Sequence, residues 1–167
     1  MPSVPVKGPS ATSFSECVVG VGAPFGEPFF CAMRKLSRPE ICRRVRKGAE
    51  GYAKAAGYTS DLMCVCAIAS HALAKAFRLH GYEATLVVGE YNDSTHCWVE
   101  SSDKIWDVTA TQFGRPKVVI VSKKRARAYK MLPDDKQPSG RQWGRTSWGS
   151  QSPSWHKSNS ILKRVKL

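Results

Sequence analysis

Cys66, His96 and Asp107 stand in the chain in the order nucleophile, base and orienter, 30 and then 11 residues apart. A thiol with a lowered pKa is a strong nucleophile. An imidazole beside it takes the proton and can return it to a leaving group. A carboxylate on the far ring nitrogen fixes the tautomer and the orientation of the base. Such a set performs acyl transfer through a thioester. Cys64 is the rival nucleophile, because residues two apart on a helix lie about 200° apart and only one can face His96. Cys64, Cys66, His96 and Cys97 are also the residue types that hold zinc. Yet neighbours on a strand, and residues two apart on a helix, point opposite ways, and the six cysteines form no Cys-x-x-Cys pair. No metal or cofactor is therefore expected.

These residues need elements to hold them. Ser37, Pro39 and Glu40 form a candidate capping box. Ile41, Val45, Ala49, Tyr52 and Ala56 then recur at helical spacing up to Gly57. Arg43, Arg44, Arg46 and Lys47 fall mostly off that stripe. A second helix is expected over roughly 62–80, capped by Ser60 or Asp61, with Cys66, Ser70, Leu73 and Phe77 on one face. Gly81 should end it, with His80 a cation at its negative end and His71 structural. The period then changes from helix to strand. Residues 84–88, 95–100 and 104–109 read as an antiparallel meander, and 118–121 can add a strand. A tight hairpin around Ser102–Asp103 sets Trp98 opposite Asp107 and His96 opposite Thr109. Asp107 is then the diagonal neighbour of His96 on the same face. The helix bearing Cys66 is the expected cover for that face.

Charge divides the chain. The net charge is +13, but residues 1–114 carry 12 Lys/Arg against 11 Asp/Glu, and residues 115–167 carry 14 against 2. Residues 123–167, with Trp143, Trp148 and Trp155 among Arg, Lys, Gly, Ser and Pro, read as a basic and largely disordered tail. Such a tail could engage nucleic acid or an acidic partner, which makes a non-catalytic binding module the alternative reading. Residues 1–30 read as an irregular leader without a signal-peptide pattern, and no stretch is long and apolar enough to span a membrane. A cytoplasmic protein with reduced cysteines is expected.

Cys66-Ala-Ile-Ala-Ser70, Gly89, His96-Cys-Trp-Val-Glu100 and Ile105-Trp-Asp-Val-Thr-Ala-Thr-Gln-Phe113 resemble the transglutaminase-like branch of the papain-like cysteine enzymes. The likeness covers about residues 58–114 and extends to small bacterial and phage members. It implies an α+β fold, with N-terminal helices packed on an antiparallel meander, in a domain over 31–122. It also implies amide hydrolysis, glutamine deamidation or transglutamination on a protein or peptide. The Gly-Gln-Cys-Trp form of animal transglutaminases and the Arg-Gly-Gly-x-Cys signature of arylamine acetyltransferases are absent.

Overall fold

A computed structural model describes residues 35–58, 61–133, 155–165 and 167. The leader, the Ser60 cap and most of the basic Trp-bearing segment lie outside these residues. The fold is mixed α+β. Helix α1 spans Arg38–Ala55 and α2 spans Cys66–Leu79. Strands β1 (Thr85–Tyr91), β2 (Ser94–Ser101), β3 (Lys104–Asp107), β4 (Val119–Ser122) and β5 (Tyr129–Met131) form one antiparallel sheet in the order β4-β3-β2-β1-β5. A 3-10 turn, Ala110–Phe113, follows β3, and helix α3 spans Trp155–Leu162. No described helix is long and apolar enough to cross a membrane.

Helix α1 forms where its apolar stripe requires, burying Ile41, Val45, Ala49 and Ala53. The capping box does not form. Ser37 makes no side-chain cap, and Glu40 instead pairs with Arg44 at 2.6 Å. Arg46, off the apolar stripe, is nevertheless buried. Its guanidinium donates to the Val108 carbonyl at 2.8 Å and to Thr111 Oγ1 at 2.9 Å, and pairs with Glu50 at 3.0 Å. Thr111 Oγ1 donates in turn to the Asp61 carbonyl at 2.7 Å. One buried cation therefore ties α1 to the loops on either side of the sequence-predicted site.

Helix α2 starts four residues later than its periodicity suggests. Leu62 and Cys64 adopt the left-handed region, with φ of 67° and 65°, so the chain cannot be helical there. Asp61 caps this turn by accepting the Met63 N–H. The helix ends as expected, with Gly81 left-handed at φ 71°. His80 is not solvated. It is buried, and its Nδ1 accepts the Leu36 N–H at 3.4 Å.

The β2–β3 register pairs Val99 with Trp106 and Ser101 with Lys104, as the Ser102–Asp103 hairpin requires. It sorts the side chains onto two faces. Val99 and Trp106 join Ile41, Val45, Leu73 and Phe77 in the main core, where Phe77 meets Trp106 edge to face at 5.4 Å. Helix α2 thus covers this face and not the His96 face. The opposite face buries Val87, Trp98 and Ile105 beneath Val121, Ala126 and Tyr129, because the chain crosses it on the way from β4 to β5. Gly89, opposite His96 on β2 and Met131 on β5, is small for a reason. A β-carbon there would collide with the Trp98 indole and the Lys130 carbonyl.

The expected break at residue 122 does not hold for the described residues beyond it. Ala126, Tyr129 and Ile161 supply apolar contacts that the high charge of the region obscures. Ile161 of α3 is fully buried, and His71 Nδ1 lies 2.7 Å from Ser158 Oγ. Burial, helped by Lys75 and Arg78, pulls His71 down to about 4 from an ordinary 6.5. The unfolded chain therefore takes up this proton first. The stabilisation is full above pH 6.5 and declines as pH falls from 6.5 towards 4. The urea midpoint should drop more between pH 7.5 and pH 5 in wild type than in His71→Gln. Equal drops would show that His71 does not couple to folding.

Candidate active site

Asp107 ends β3, and the backbone then turns into the 3-10 segment. Its carboxylate is fully buried and receives four donors. Thr109 N–H and Thr109 Oγ1 reach Oδ1 at 2.7 and 3.1 Å. Tyr129 OH donates to Oδ2 at 3.0 Å, and His96 Nε2 lies 2.7 Å from Oδ2. An ionised carboxylate is acceptor-only, with about four lone-pair sites, and each of these partners can fill one as a donor. Burial and the adjacent Asp107 charge hold Tyr129 well above the ordinary phenol range, so it keeps the proton it donates. The arrangement makes Asp107 the anion and His96 Nε2 the proton carrier.

His96 is fully buried within an aromatic wall. Phe113 meets it edge to face at 4.9 Å, with Tyr91 and Trp98 each at 6.2 Å. The ring has little freedom to turn away from Asp107.

Cys66 is the first residue of α2, so the helix dipole favours its thiolate. Cys64 lies before the helix and is exposed, which removes it from the face it was expected to contest. Because β3 ends at Asp107, the β2–β3 pairing stops at Val99 and does not continue to Cys97. The first turns of α2 engage that residue instead. Ser70 Oγ donates to the Cys97 carbonyl at 2.8 Å, and the Cys66 and Cys97 side chains are buried together beside Val88. Cys66 and His96 act on each other's charge, the imidazolium favouring the thiolate and the thiolate the imidazolium.

The charges follow from these contacts. The Cys97 thiol donor pulls Cys66 down most. Burial opposes it, but His96 and the Cys97 backbone carry Cys66 well below the ordinary thiol range. Cys97, as donor in a buried position, is pushed up and stays a thiol. Burial disfavours the His96 cation, but the hydrogen bond to Asp107 and the negative charges of Asp107 and a Cys66 thiolate overcome it, so that with Cys66 ionised His96 is raised to about 9.

His96 and Asp107 are thus joined by a hydrogen bond, and Cys66 bears on His96 through charge. Among the described residues, no group of three or more His, Cys, Asp or Glu could hold a metal ion. Three contributors escaped the sequence reading. Tyr129 lay in the supposed tail. Thr109 was placed only as the residue opposing His96. Gln112, whose Nε2 lies 3.2 Å from His96 Nδ1, sat unremarked within the Asp-Val-Thr-Ala-Thr-Gln run. No protein-family model matches the chain, and no match is found among curated proteins or solved structures.

Replacing Tyr129 by Phe removes one donor to a buried anion. The expected loss is about 1–3 kcal/mol of stability, with slower reaction of Cys66 towards alkylating agents. Urea denaturation and a labelling time course read both. Unchanged stability together with unchanged labelling would show that Tyr129 does not support Asp107.

Proposed function

We propose that this chain is a cysteine-dependent acyl-transfer enzyme with a transglutaminase-like, papain-like core. One observation carries the reading: a cysteine at a helix N-terminus, its thiol held well below the ordinary range by neighbours that include His96, stands with a buried histidine whose Nε2 is 2.7 Å from the Asp107 carboxylate. Acyl transfer through a thiol requires these three roles in this spatial order.

Cys66 gives its proton to His96 Nδ1 and attacks a carbonyl carbon. The C–S bond forms and the carbonyl π-electrons pass to oxygen. The Cys66 backbone N–H, in the first turn where no intrahelical acceptor exists, stabilises that oxyanion. The tetrahedral intermediate collapses, the C–N bond breaks, and His96 Nδ1–H protonates the departing amine. Water then resolves the thioester with hydrolysis or deamidation, or a second amine resolves it with cross-linking. Asp107 stabilises the imidazolium without taking its proton. The substrate class is an amide of a protein or peptide. The order Cys on a helix, His on a strand and Asp on the next strand supports the family resemblance.

The direct test is to trap the thioester. The protein, incubated with an activated acyl ester and quenched in acid, should gain one acyl group on Cys66 by peptide mapping. Cys66→Ser should show none, and His96→Ala far less. Acylation spread over Cys64 and the other thiols, and indifferent to His96, would refute the reading.

A further inference from the structure

Gln112 bears on the one free nitrogen of the base. Its Nε2 lies 3.2 Å from the Thr109 carbonyl oxygen and 3.2 Å from His96 Nδ1. The carbonyl can only accept, so the nearer amide atom must be the nitrogen. A flipped amide would set two acceptors face to face. Gln112 therefore donates one N–H to Thr109 and the other to Nδ1. With Nε2 donating to Asp107, this makes His96 the neutral Nε2–H tautomer, its Nδ1 lone pair occupied.

An imidazole nitrogen has one in-plane lone pair. It cannot accept from Gln112 and also take the Cys66 proton. When the S–H bond breaks and the Nδ1–H bond forms, the Gln112 N–H faces another N–H and must withdraw. The short 3-10 turn that carries Gln112, Ala110–Phe113, also carries Phe113 against the same ring, so it is built around the base.

We propose that Gln112 is a positioning residue that occupies His96 Nδ1 and keeps the Cys66–His96 pair neutral until its amide moves aside. This rests on the acyl-transfer reading. It adds that the ion pair, which the surrounding charges favour, is restrained in the free protein by one amide.

The titratable groups facing the pair are Asp107 from β3, Tyr91 from β1, Tyr129 from β5 and Cys97 from β2. A Gln112→Met change leaves all of them in place and removes only the donor. The pH dependence of Cys66 alkylation by iodoacetamide should then shift. Its midpoint should fall by about one unit, giving roughly tenfold faster labelling at the acid end. A midpoint at or above that of wild type overturns the proposal. Nitrogen NMR of His96 in the unaltered full chain gives an answer that needs no variant. At neutral pH, Nε2 should be protonated and Nδ1 bare, and a protonated Nδ1 overturns the proposal. His96→Ala separates the two claims. If Cys66 labelling ignores that change, the acyl-transfer reading and this inference fall together. If labelling depends on His96 but not on Gln112, only the inference falls.

Discussion

The buried carboxylate of Asp107 is the constraint around which the described fold is arranged. A charge at this depth is costly unless its lone pairs are filled. Two donors come from Thr109, one from His96 on β2 and one from Tyr129 on β5. The two tertiary donors, from β2 and β5, exist only when the sheet is complete. The reach of β5 across to the far edge, and the crossover that brings it there, are thus part of the site. Losing one donor leaves an unsatisfied anion, which costs more than an ordinary hydrogen bond adds.

A second constraint follows from where β3 ends. Had β3 continued, it would have covered the backbone of Cys97. It stops, and α2 engages that edge through Ser70, with Cys66 packed beside it. A thiol is thereby buried beside Cys97, the strand residue that follows His96. Buried Arg46 holds the flanking loops by bonding Val108 and Thr111, with Thr111 passing the connection to Asp61. The left-handed Leu62 and Cys64 occupy conformations that cost about 1–2 kcal/mol each for non-glycine residues. Such a turn persists only where its surroundings determine it, and it places Cys66, not Cys64, at the helix start.

Much of this was legible from residue order. Strand alternation and the Ser102–Asp103 turn were sufficient to put His96 and Asp107 on one face in the observed register. The apolar stripe of α1 and the Gly81 stop of α2 followed from periodicity and glycine chemistry. Other features left no local trace. Neither Leu62 nor Cys64 is a residue that announces a left-handed turn. Strand β5 has three residues, too few to show alternation, and lies in a stretch whose charge suggested solvent. The cover of the His96 face comes from the β4–β5 crossover and not from α2, since alternation tells which residues share a face but not which element lies over it. Arg46 reads as a surface cation until the carbonyls it serves are placed in space.

The central claim is that Asp107 acts on Cys66 only through His96. It is tested most directly by the iodoacetamide labelling rate of Cys66 at one pH in wild type, His96→Ala, Asp107→Asn and the double variant. Each single change should slow labelling by at least about tenfold. The double variant should be no slower than His96→Ala alone, because residues that act as a unit are not additive. Multiplying effects would mean that the two residues act independently, and rates equal to wild type would mean that the three do not work together.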